Sequence, residues 1–235
     1  MIYGELGIFP LVCSIQSRMV NYWMNISNSK NSKFTFILYR LLLLKCNQFE
    51  NFDCKWLKYI RSILDDCGVS YLWITQEITN QKWLGQHIKQ NLKDQYMQKW
   101  KSDIENSPKS LCYRIYKKHI EFENYLDLLN DKDRKILCRF RTCNHRFPIE
   151  TGRWVGVQRE DRKCVLCNSG QIGDEFHYLL ECKTFTQERK YFLGNYYCKH
   201  ANILKFDELM NCKNVGKLRK ICKFINCIFL QVCPS

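Results

Sequence analysis

From Gln81 to Asn106 the chain places Leu84, Ile88, Leu92, Tyr96, Trp100 and Ile104 at every fourth position, with Lys89, Lys93, Lys99 and Lys101 between them. A helix gathers such positions into one apolar stripe and leaves the lysines facing water. The chain has only 4 Pro and 10 Gly in 235 residues, so little interrupts this kind of pattern. The same periodicity predicts further helices over 11–26, 34–48, 54–66, 110–119, 131–142, 186–194 and 215–231, with breaks at NSKNSK, CGVS and ENSPKS. The expected fold class is mainly α: a helical, bundle-like segment, then a small metal-stapled loop-helix module, then C-terminal helices.

The ENSPKS stretch at 105–110 is the best linker, giving expected domains of 1–110 and 111–235. Charge is unequal across it. Residues 1–110 carry 14 Lys and Arg against 9 Asp and Glu, and 111–235 carry 23 against 14, so the net charges are +5 and +9. The densest window, 134–159, sets Arg134, Lys135, Arg139, Arg141, Arg146, Arg153 and Arg159 against Glu150 alone. A formal net charge of +14 points to nucleic acid or another anionic surface, because Lys and Arg release condensed counterions when they meet phosphates. A solvated cationic surface is the plainer reading of the same composition.

Fifteen cysteines is an odd number, and the start MIYGELGIFPLVC lacks the basic residues and long apolar run of a signal peptide. A secreted disulfide scaffold is therefore not expected. An intracellular, reducing compartment is, with nucleus and cytoplasm both open. There thiols such as Cys13, Cys46 and Cys67, and those of Cys222, Cys227 and Cys233 near the C-terminus, read as small buried hydrophobes. The longest apolar runs, FTFILYRLLLL at 34–44 and ICKFINCIFLQVC at 221–233, contain Arg40 and Lys223 and fall short of a membrane span.

Four residues stand apart from that background. Cys164, Cys167, His177 and Cys182 follow the order C-x2-C-x9-H-x4-C, and the chain has no other C-x-x-C and no other H-x4-C. Either fragment alone is weak, and their coincidence is the signal. Two thiolates from one tight turn and an imidazole and thiolate from one short helical turn can close a tetrahedron around a single zinc ion. With all four positions taken by protein, no place remains for a reactive water, so one structural Zn2+ is expected within a module of about 160–185. Asp174 reads as the cap of the turn presenting His177, and Glu175 as a hydrogen-bond acceptor behind a ligand. The nearby Cys143 and His145 match no common closed site and read as packing or backbone contacts.

Three stretches together suggest a family. YGELGIFPL at 3–11, NHRFPIETGRW at 144–154 and KCVLCNSGQIGDEFHYLLEC at 163–182 resemble the region after the polymerase domain in LINE-type, non-LTR retrotransposon reverse transcriptases. The last stretch is similar to the Cys-Cys-His-Cys zinc-binding segment of those proteins, which implies ligand roles for Cys164, Cys167, His177 and Cys182. The resemblance also implies that Arg146 and Arg153 lie near bound nucleic acid. Ile8 departs from it, standing where a basic residue is expected.

No adjacent aspartates occur in a setting for two-metal nucleotidyl transfer, since Asp65-Asp66 ends a helical stretch, and Asp207-Glu208 lacks the rest of a metal nuclease. The chain is expected to be non-catalytic and to bind RNA or DNA with low sequence specificity. Arg134, Lys135, Arg139, Arg141, Arg146, Arg153, Arg159, Arg162 and Lys163 are the expected phosphate contacts, and Trp154 either stacks on an unpaired base or belongs to the core. The competing class is a zinc-braced interaction or regulatory module whose basic surface meets an acidic protein partner.

Overall fold

The computed structural model describes residues 1–29, 33–48 and 54–233, and their fold is mainly α. The elements are α1 Ile2–Leu6, α2 Leu11–Ser27, α3 Phe34–Gln48, α4 Lys55–Asp66, α5 Tyr71–Thr75, α6 Gln81–Asn106, α7 Tyr113–Tyr116, α8 Tyr125–Leu128, α9 Asp131–Arg141, α10 Pro148–Trp154, α11 Thr186–Leu193, α12 Ile203–Met210 and α13 Val215–Val232. Among the described residues the only β pairing is in two isolated bridges, Leu6 with Phe122 and Lys163 with Ile172. None of the helices is long and apolar enough to cross a membrane.

The chain forms two compact units, one of Phe9–Trp100 and one of Met1–Ile8 with Lys101–Ser235. Their division falls inside α6 rather than in the 105–110 stretch. The Phe9–Trp100 unit has its own core, in which Val20, Trp23 and Met24 of α2 meet Leu57, Ile60, Ile63 and Leu64 of α4 and Leu84, Ile88 and Leu92 of α6. The expected stripe of α6 is thus the buried one. Trp23 lies wholly inside and donates its indole N–H to the Tyr39 hydroxyl at 2.7 Å, so its polar edge is satisfied.

In the other unit α13 packs on α9 and α11, with Phe140 against Phe229 and Phe185 against Phe224. Helix starts are set by side-chain caps. Asn130 accepts from the Asp133 N–H at 3.0 Å, Asn202 from Lys205 at 2.9 Å and Asn214 from Lys217 at 2.9 Å. Asp131 and Asp133 occupy the first turn of α9 and Arg139 and Arg141 its last, each sign facing the helix end that favours it.

The helix expected over 110–119 is shorter than its pattern. Only Tyr113–Tyr116 is α-helical, because Lys117 adopts an extended backbone and its buried amine turns back to the Glu121 carbonyl and the Glu123 carboxylate. Gly7 ends α1 in the left-handed region at φ 63°, where a Cβ would lie 2.3 Å from the Phe122 amide nitrogen. Only glycine fits that approach.

Candidate metal centre

The C-x2-C half of the centre is built on a tight loop. The Cys164 N–H donates to the Gln171 carbonyl at 2.8 Å and the Gly173 N–H to the Arg162 carbonyl at 2.8 Å, pinning the two ends of the loop together. The Leu166 N–H points at Cys164 Sγ at 3.4 Å, tying the sulfur to the backbone of the turn. Gly173 is required by its surroundings, since a Cβ there would come within 2.9 Å of Pro148 and 3.2 Å of the Cys164 Cα.

The His-x4-Cys half is held by an unusually wide turn. Residues His177–Glu181 form a π-helical turn closed by a 2.8 Å bond from the Cys182 N–H to the His177 carbonyl, five residues back. In an α-helix residues five apart point roughly 140° away from each other. The π turn brings the imidazole and the thiol round to the same side. Asp174 caps this turn as its sequence position suggested, accepting from the His177 N–H at 2.9 Å. Arg189, buried at 2% exposure, stabilises the other end by donating to the carbonyls of Leu179 at 2.8 Å and Cys182 at 3.0 Å.

The two halves bring four ligand atoms, one each from Cys164, Cys167, His177 and Cys182, within 4.8 Å of one another. Cys164 and Cys182 place their sulfurs 3.9 Å apart, and Cys167 Sγ lies 3.4 Å from His177 Nε2. Metal–sulfur bonds of about 2.3 Å and a metal–nitrogen bond of about 2.0 Å set at tetrahedral angles give edges of about 3.8 and 3.5 Å. The cluster therefore fits a four-coordinate metal ion, and among the described residues it is the one group of its kind. Burial pushes the Cys167 thiol up, but donors from Ser169, Cys164 and His177 outweigh it and bring it down to about 6. Burial raises Cys182 to about 11.

The carboxylate behind the histidine is Glu181, which lies 3.4 Å from His177 Nδ1 and leaves Nε2 for the centre. Glu175, read as that acceptor from sequence, instead lies 2.8 Å from Nε2 of His145, and both are buried. His145 stacks on Phe147 with ring centroids 4.0 Å apart, and Cys143 is also buried, in keeping with their reading as packing residues.

The structure sorts the expected phosphate contacts into distinct groups. Arg141 is a correction: its side chain is wholly buried, bonding Glu5 at 2.8 and 3.1 Å, Glu123 at 3.0 Å and the Met210 carbonyl at 2.5 Å. Arg162 directs its guanidinium at the carbonyls of Val157 and Ile149 and so braces the loop leading into Cys164. Arg153 pairs with Glu150 at 2.6 Å, Arg134 with Asp131 at 3.5 Å and Arg159 with Asp174 at 3.7 Å. Arg139 lies across the Phe229 ring with its outer edge exposed. Lys135, Arg146 and Lys163 are exposed, and among the described residues they have no ion-pair partner. Trp154 is 60% exposed and is not a core residue.

No protein-family model matches this chain, and neither a curated protein nor a solved structure does. The site therefore rests on its own geometry.

Proposed function

We propose that this chain is a non-catalytic nucleic-acid-binding protein whose cationic segment is stapled by one structural zinc ion, derived from the post-polymerase region of a LINE-type reverse transcriptase. The observation that carries the reading is the gathering of three sulfurs and one imidazole nitrogen within 4.8 Å of one another, with the Cys164–Cys182 and Cys167–His177 separations at tetrahedral edge lengths. Three thiolates and an imidazole select zinc among common cellular ions, and all four positions are filled by protein. Bound there, zinc supplies a cross-link and no reaction.

The protein side chains do the rest. Glu181 orients the imidazole, while Asp174 and Arg189 fix the two ends of the π turn. Lys163 adjoins Cys164, Arg146 lies just ahead of α10 and Trp154 is its last residue, so exposed cations and an aromatic face lie on and shortly before the stapled segment. The three stretches that resemble the family also meet in the fold. Glu5 of the first bonds Arg141 just ahead of the second, His145 of the second bonds Glu175 of the third, and the Ile149 N–H donates to the Gly173 carbonyl at 3.2 Å.

The test is metal content by mass spectrometry of the reduced chain, wild type beside a Cys164→Ser/Cys182→Ser variant, followed by binding to single-stranded RNA and DNA over a salt series. One zinc per chain lost in the variant, with an affinity for unrelated sequences that falls steeply with salt, is the expected result. A folded wild type without metal rejects the staple. Binding to an acidic protein, with no affinity for either nucleic acid at any salt, assigns the module to protein interaction.

A further inference from the structure

A second cationic cluster lies in the Phe9–Trp100 unit, outside the 134–163 run of expected phosphate contacts. There α2 and α6 run antiparallel: Phe9 meets Tyr96 with centroids 5.9 Å apart, the Cys13 thiol reaches the Leu92 carbonyl at 3.9 Å, and Asn21 lies against Gly85. Gly85 permits the close approach, since a Cβ there would be 3.1 Å from Asn21 Oδ1. Beside this seam opens a groove of about 310 Å³.

Phe9 and Cys13 lie in its lining, and the charges on its walls are all of one sign. Ser14, Ser17, Arg18 and Asn21 lie at i, i+3, i+4 and i+7 on one face of α2, and Lys89 and Lys93 at i and i+4 on α6. No acidic side chain lines the groove, and none occurs anywhere between Glu5 and Glu50 in the chain. Arg18 and Lys89 are exposed and, among the described residues, have no ion-pair partner. Lys93 is held in place by the Phe9 ring, 5.3 Å below its ammonium.

Three cations gathered without a counter-charge repel one another unless an anion joins them, and the hydroxyls and amide beside them are hydrogen-bond donors. From Ser14 to Asn21 the wall runs about 10 Å along α2, long enough to meet more than one successive phosphate of a strand. We infer that the α2–α6 groove binds the phosphodiester backbone of a nucleic acid strand, with Arg18, Lys89 and Lys93 on phosphates and Ser14, Ser17 and Asn21 donating to phosphate oxygens. The inference rests on the nucleic-acid reading above and adds a second contact surface, remote in sequence from the metal segment.

The experiment measures binding of a short fluorescein-labelled single strand to the full chain by anisotropy over a potassium chloride series. Wild type is set beside Arg18→Gln/Lys89→Gln/Lys93→Gln, which keeps the side-chain stems, and beside Arg18→Lys, which keeps the charge. The triple variant is expected to lower the salt slope by about 2 and the affinity at moderate salt by a factor on the order of tens, with helicity and metal content unchanged. Arg18→Lys is expected to keep the wild-type slope. A triple variant that binds like wild type overturns the groove and leaves the proposed function standing, whereas a wild type that binds no strand overturns both. Displacement of the strand by millimolar inorganic phosphate at constant ionic strength, lost in the triple variant, would assign the groove to free phosphate instead.

Discussion

Arg141 shows how one residue can be misread from sequence and why. It lies in a run of cations on α9, where charge density suggests a phosphate-binding face, yet its guanidinium is fully inside and holds Glu5 and Glu123 together beneath the Tyr116 and Tyr125 rings. Burial alone would drive such a group toward its neutral form, but the carboxylates around it keep it firmly charged. Removing one partner therefore leaves an uncompensated buried charge. Glu5→Ala is expected to lower unfolding stability by about 3–5 kcal/mol, read as the shift in denaturant midpoint, whereas Lys135→Ala, two turns back on an exposed face, should change it by less than about 0.5 kcal/mol. A Glu5→Ala midpoint equal to wild type would mean that Glu123 alone satisfies Arg141. The partner was hidden because it lies 136 residues away. A signal was nonetheless present: Leu137, Phe140 and Arg141 occupy one helical stripe, and an arginine in an apolar register is a candidate for burial.

Long elements were legible because their patterns extend over several turns. The stripes read over 11–26, 54–66, 81–106, 131–142 and 215–231 emerge as α2, α4, α6, α9 and α13 within a residue or two. The short helices α1, α5, α8, α10 and α12 were not expected, none running beyond eight residues, little more than two turns of periodicity. Their punctuation was there to read, with Pro148 at the first turn of α10 and Asn202 capping α12. Of the metal centre, the ligands and the Asp174 cap were legible, but the π turn and its support by Arg189 were not. Arg189 sits in register with Phe185 and Phe192, so it faces inward and replaces hydrogen bonds that the π turn leaves open. Arg189→Met keeps much of the volume and removes those donors. It is expected to weaken metal retention by about 10- to 100-fold in a chelator competition, the range found for groups that orient ligands without touching the ion. Retention equal to wild type would show that the ligands hold the π turn by themselves.

At the scale of the whole molecule, stability is divided in the way the cores are. The Phe9–Trp100 unit buries Trp23, Ile60, Leu84 and Ile88 in a cluster that owes nothing to the metal ligands. The segment 162–189, by contrast, is held by turns, one isolated bridge and side-chain bonds to backbone, with Tyr178, Leu179 and Phe185 as its inward anchors. Three thiols and an imidazole drawn within 4.8 Å cost free energy in thiol burial and in lost side-chain freedom, which a bound cation offsets. Metal removal should therefore loosen the molecule unevenly. Hydrogen exchange of the chelated chain is expected to show protection falling first across 162–189, then in the rest of α11, in α13, which meets the segment through Phe185 and Phe224, and in α9, which packs on α13, while α4 and the first turns of α6 keep theirs. Equal loss in both units would mean that they unfold as one cooperative body. Protection unchanged at 162–189 would mean that Arg162, Arg189 and the aromatic anchors fix the segment without the ion, leaving the metal a passenger on a fold already made.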